Sequence, residues 1–232
     1  MNIGPLYETL ILIEHKGTIR KNNLFDYASR STRGVIGKME AMSLIEKTDS
    51  GDISLSKKGH RYLNRVLGNL HDSIIKWDGQ WTIVSFGIPE KKRSARDKFR
   101  RFIGSIGMKP LFSSLWISPL ELSSVILQYV RANGISENVL IVRSNKLSGI
   151  GVEAAMKLWK FDKHRADLER FISESRLPFK EGSDRAFEVK KRIFAFALIL
   201  DNQPKIPFEF LPEDWPYLRA RMAYKRLKAM LS

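Results

Sequence analysis

Apolar residues recur at helical spacing in LYETLILIEH near the start of the chain, and KNNLFDYA, beyond a polar break, reads as a short second helix. After Ser29-Arg30-Ser31 comes TRGVIGKMEAM, with Val35, Met39 and Met42 at i, i+4 and i+7, which predicts a third helix with those three turned inward. Two short apolar runs follow, Leu44-Ile45 and Ile53-Ser54-Leu55, around Asp49-Ser50-Gly51-Asp52, a turn signal of the hairpin kind. SKKGHRYLNRVL then returns as a helix, capped by Ser56 and burying Tyr62, Leu63 and Val66. Helices, hairpin and returning helix in this order predict a winged helix-turn-helix, the hairpin being its wing.

The pattern changes near Asp78-Gly79. From there the order is strand (WTIVSFGI), helix (KRSARDKFRRFIGSIG), two strands (PLFSS, LWISP), helix (LSSVILQYVRAN) and strand (NVLIVRS), the βαββαβ order of a ferredoxin-like fold. Phe99, Phe102, Ile103 and Ile106 form the inward stripe of its first helix, and Lys92, Arg96 and Arg100 fall on another face at i, i+4, i+8. Beyond Ser148-Gly149-Ile150-Gly151 the chain reads as mostly helical, in stretches from Val152 to Ser175, Phe187 to Leu200 and Trp215 to Leu231. The expected architecture is therefore α+β: a winged helix-turn-helix at 1–77, a ferredoxin-like domain at 78–150 and a helical C-terminal domain at 151–232.

Charge narrows the partners. Lys and Arg number 40 against 25 Asp and Glu, a net charge of +15, spread along the chain rather than gathered in a tail. Such a balance favours a polyanion such as nucleic acid. In a winged helix the third helix enters the major groove while the wing and flanking amides hold phosphates. The candidate double-stranded DNA contacts are thus Arg30, Ser31, Thr32, Arg33 and Lys38 from the helix and Lys47, Lys57 and Lys58 near the wing. Arg30 and Arg33 are the bidentate guanine readers among them. Gly34 and Gly37 weaken a helix, by up to about 1 kcal/mol each. Either they admit a DNA backbone or they lie where packing is tight. No apolar run reaches the roughly 20 residues of a membrane-spanning helix, and no leader pattern opens the chain, so a cytoplasmic address is expected. With no cysteine, no phosphate loop, no nucleophile elbow and four scattered histidines, the sequence points to no cofactor, metal centre or catalytic residue.

The run WDGQWTIVSFGIPEKKRSARDKFRRFIGSIGMKPLFSSLWISP resembles the central domain of the PaaX family of bacterial transcriptional repressors, which govern phenylacetic acid catabolism. That domain is in turn similar to the small ferredoxin-like CRISPR-associated nuclease of spacer acquisition. EAAMKLWKFDKHRADLERFISE is similar to the family's Trp-containing helix, with Trp159 at the Trp position, and FEFLPEDWP to its LLP-x-DW segment. The resemblance implies a homodimeric repressor on a pseudo-palindromic operator, released by an acyl-CoA effector. Where the family has an Arg close before an Asp-Pro pair, this chain has ALILDNQPKIP, with Asp201 and Pro204 apart and no Arg, so its ligand is expected to differ or to be lacking.

The nuclease to which that domain is similar carries an Asp at the end of the first strand, and here that position is Gly87. Glycine supplies no carboxylate, and Glu90, beside Lys91, Lys92 and Arg93, reads as one half of a surface ion pair. The chain is therefore expected not to be an enzyme. Two other classes stay open: a metal-dependent nuclease targeted by a winged helix, and a scaffold whose winged helix contacts protein. The five tryptophans are expected in cores or interfaces rather than as a stacking platform for single strands.

Overall fold

Pro5 opens the first helix, where its missing N–H would have had no intrahelical partner. The computed structural model describes residues 3–20, 22–24, 32–71 and 74–231, with the side chains of Thr32 and Arg33 left out. Along the chain, α1 (Pro5–Lys16), β1 (Thr18–Ile19), α2 (Thr32–Ala41), β2 (Ile45–Lys47), β3 (Ile53–Leu55) and α3 (Lys57–Leu67) come first. Next are β4 (Trp81–Phe86), α4 (Arg93–Ser105), β5 (Lys109–Pro110), β6 (Leu115–Ser118), α5 (Ser123–Ala132) and β7 (Val139–Ser144). The chain continues through α6 (Val152–Met156), α7 (Phe161–Glu174), α8 (Arg185–Asn202) and α9 (Tyr217–Ala229). No helix among the described residues is long and apolar enough to cross a membrane.

Two compact units result. The first takes Met1–Asp72, His164–Gln203 and Pro216–Ser232, the second Ser73–Lys163 and Pro204–Trp215. Residues 151–232, expected as one helical segment, are thus shared between them.

In the first unit β1, β3 and β2 form a three-stranded antiparallel sheet in that order, with Ile45 opposite Leu55 and Lys47 opposite Ile53. The unit's centre is α8, whose RIFAFALIL end is apolar on nearly every side and buries Phe194, Phe196 and Leu200. It packs against α1, α3 and α9, the last presenting Ala220 and Ala223, small residues that allow close approach. Within α2 the inward pair is Ile36 and Met39, whereas Val35 is half-buried and Met42 lies past the helix end. This corrects the expected Val35-Met39-Met42 stripe. A ten-residue helix ending at Ala41 offers two overlapping stripes, and packing against α1 selects the one through Ile36.

The second unit has the βαββαβ order, with its antiparallel sheet in the order β5-β6-β4-β7. Alternation along β4 sends Val84 and Phe86 to the face covered by α4 and α5, where Phe99, Ile103, Ile126 and Val130 are buried. Trp81 and Ile117 point to the other face and are covered by Ala155, Met156, Trp159 and Ile206. Buried Thr82 donates to the Leu120 carbonyl at 2.6 Å and accepts from Arg143 at 2.9 Å, so its hydroxyl is satisfied inside the sheet.

Candidate nucleic-acid interface

The hairpin between β2 and β3 closes through the Thr48 amide on the Asp52 carbonyl at 2.8 Å, with Gly51 at φ 80°, a conformation that glycine adopts without strain. This leaves Lys47 exposed at the end of β2. Ser56 then does two things at once. Its hydroxyl accepts from the Gly59 amide at 3.0 Å, capping α3, and donates to the Ser43 carbonyl at 2.7 Å. Gly59 is required by the same junction, because a Cβ there would stand 2.1 Å from the Leu44 carbonyl oxygen. Lys57 and Lys58 are fixed by this clamp in the exposed first turn of α3.

On α2, Lys38 is exposed, as are Gly34 and Gly37, and a Cβ at either glycine would meet open space. Among the described residues nothing packs tightly against either glycine, and the two lie one turn apart on the exposed side of α2 beside Lys38. None of Lys38, Lys47, Lys57 and Lys58 has an acidic partner among the described residues. Thr32 and Arg33 lie in the first turn of α2, their side chains outside the described residues, and Arg30 and Ser31 lie outside them altogether.

The first helix of this unit is tied along its length to α8. Glu8 bonds Lys191 at 3.0 Å, Glu14 bonds Lys190 at 2.9 Å, and Asp184 takes His15 at 2.9 Å and Lys16 at 3.0 Å. Asp184 also caps α8 by accepting the Phe187 amide at 3.1 Å. The His15 hydrogen bond, then those from the Phe187 amide and Lys16, hold its carboxyl well below the usual carboxylate range. Burial works against the charge of Lys191, yet the hydrogen bonds it donates to Glu188 and Glu8 raise its pKa above the ordinary value. At the far end of α8, Asp201 accepts from buried Asn69 at 3.0 Å and lies 3.8 Å from Arg65. In this chain, then, Asp201 is a packing anchor.

In the second unit Gly87 directly follows β4, exposed, its amide on the Asn138 carbonyl at 2.9 Å. It borders an open groove of about 370 Å³ with Glu137 and Asn138. Glu90 turns outward, 70% exposed, and pairs with Arg96 at 2.7 Å. Among the described residues no three His, Asp or Glu side chains gather as a metal-ligand group. Trp81 and Trp159 are buried, and Trp77 packs edge-on against Phe210 at 4.9 Å, so these rings serve packing.

Sequence reasoning passed over Gly59 and Asp184. Nothing in SKKGHRYL marks the close approach at Gly59, since it depends on a carbonyl fifteen residues upstream. Asp184 had a local signal, an Asp directly before a helical pattern, but the helix was expected to begin three residues later.

Residues 75–155 match the family described as PaaX protein central Cas2-like domain. No curated protein is significantly similar to the chain. Among solved structures, the uncharacterized protein Rv0674 from Mycobacterium tuberculosis is similar over 97% of this chain and 94% of its own, at 16% identity and a TM-score of 0.59, a likeness of fold.

Proposed function

Starting from a chain whose central domain is that of the PaaX proteins, we propose that it is a sequence-specific DNA-binding transcriptional regulator, a repressor of the PaaX type. The observation that carries this is the order α1-β1-α2-β2-β3-α3 among the described residues of the first unit, with its β1-β3-β2 sheet, which is compatible with a winged helix whose second helix, KNNLFDYA, falls largely outside the described residues. In this reading α2 is the recognition helix and the β2-β3 hairpin is the wing. Lys47, Lys57 and Lys58 take phosphates, and Gly34 and Gly37, exposed and without side chains, let the helix sit close to the groove. Lys57 and Lys58 support it further, because cations at the positive end of a helix are unfavourable until an anion arrives.

The regulator acts as a homodimer on a pseudo-palindrome, as twofold symmetry requires. Support comes from β7, an edge strand in the sheet order, where Leu140 and Val142 are 61% and 40% exposed. The acyl end of an acyl-CoA effector would enter the apolar cleft of about 180 Å³ lined by Ile11, Leu63, Leu67, Ile193 and Phe194. A nuclease reading is not favoured, since Gly87 brings no carboxylate to the strand end and Glu90 is engaged by Arg96.

The test is a gel shift of the purified protein on DNA from upstream of its own gene, against random DNA of equal length, with a magnesium lane. A discrete complex that survives competitor DNA and leaves the probe intact is expected. Equal affinity for random DNA, or a cut probe, would overturn the reading.

A further inference from the structure

The stretch KKRSARDKFRR, residues 91–101, holds seven cations and one carboxylate, and it forms the entry and first half of α4 in the second unit. Phe99 and Ile103 fix the helix by burying one side, which turns the charged side out. Part of the charge is neutralised internally. Arg96 takes Glu90 at 2.7 Å, and Arg93 lies 4.0 Å from Glu90 and 3.9 Å from Asp97. Lys92 and Arg100 lie on the face that runs through Arg96, Lys91 precedes them at the entry to the helix, and all three are exposed and meet no acidic side chain among the described residues.

The placement is costly for the protein alone. No acidic residue stands in the first turn of α4, so its positive end is crowded with further positive charge. A solvated, merely solubilising face would lower its energy by mixing signs, as the Glu90-Arg96 pair does next door. From Lys92 to Arg100 the helix rises about 12 Å at 1.5 Å per residue. One strand of duplex DNA presents a charge about every 3.4 Å along the axis, so three or four phosphates lie within that span.

We propose that this strip of α4 is a second contact for the phosphate backbone of duplex DNA, indifferent to sequence and additional to the module at the N-terminus. It rests on the regulator reading only in choosing duplex DNA among polyanions.

The test uses the full chain with Lys91, Lys92 and Arg100 replaced by Gln, and a milder Lys92→Gln/Arg100→Gln variant in case the first folds poorly. Fluorescence anisotropy follows binding to a labelled random duplex and to the upstream duplex over a salt series. The slope of log K against log salt should become shallower by about 3 for the triple variant and about 2 for the double, at roughly 0.9 per contact. Affinity for random duplex should fall at least tenfold at low salt, with the preference for upstream DNA retained. If the wild type binds duplex without sequence preference and the slope still falls, the regulator reading fails and this contact stands. Unchanged slopes in variants of a DNA-binding wild type would sink the contact alone. A wild type that binds no duplex removes both, and a tighter, equally variant-sensitive hold on heparin or duplex RNA overturns the DNA assignment.

Discussion

His15 and Asp184 meet at 2.9 Å across 169 positions of sequence, and the same carboxylate caps α8 and takes Lys16. Asp184→Ala should cost about 0.5–2 kcal/mol, the range for losing an N-cap. Asp184→Asn should recover part of that loss by keeping the cap. Because the folded-state pKa is depressed, the stabilisation is present above the unfolded value of 3.8 and is lost as pH falls towards the folded value. Urea melts at pH 7 and pH 3 check this: the gap between wild type and Asp184→Asn should narrow at the lower pH.

Two glycines should respond in opposite ways to the same methyl group. Gly59→Ala drives a Cβ into the Leu44 carbonyl and should destabilise by about 1–3 kcal/mol. Gly37→Ala faces open space and should stabilise by up to about 1 kcal/mol. If the exposed side of α2 meets DNA, Gly37→Ala will also lose affinity for the upstream duplex in a gel shift despite its greater stability.

Replacing Lys47 with Ala should weaken binding to all duplexes alike and reduce the salt slope by about 1. Arg30→Ala with Arg33→Ala should instead erase the preference for upstream DNA while circular dichroism stays unchanged. Intact preference in the double variant would remove both residues from base reading.

Leu140→Glu puts a charge on the exposed apolar strip of β7. Analytical ultracentrifugation should show a dimer for the wild type and a monomer for the variant, with the same melting temperature at the level of the protomer. A variant that stays dimeric would place the interface elsewhere.

No cleavage of DNA is expected with magnesium or manganese. Gly87→Asp should fold normally, since the position has an ordinary backbone conformation and free space around a Cβ. Thermal melts with and without manganese on this variant ask whether a carboxylate there is enough to hold a cation.

The elements whose periodicity was strong were legible before any coordinates. Alternation in WTIVSFGI and the apolar stripe of α4 predicted the βαββαβ unit, because period and burial there arise within single elements. The exposure of Lys47, Lys57 and Lys58 beside the β2-β3 hairpin follows in the same way from local turn and cap chemistry. What escaped were features made by distant chain: Gly59 against Leu44, Asp184 against His15, and the choice of Ile36 over Val35, decided by the surface of α1. The division of residues 151–232 between two units was also invisible, since helical patterns say which face is buried and not against what.

The chain passes between its two units at Asp72–Ser73, Lys163–His164, Gln203–Pro204 and Trp215–Pro216. Each unit is therefore sewn from separate lengths of polypeptide, and no single cut releases either one whole. A fragment ending at residue 77 would leave α1 without Phe194, which Tyr7 meets at 5.0 Å, and without the ion pairs of Glu8, Glu14, His15 and Lys16 with α8 and its cap. The N-terminal module is thus not a cassette that recombination or a protease could transfer intact, and whatever changes α8 is inherited directly by the helices it supports.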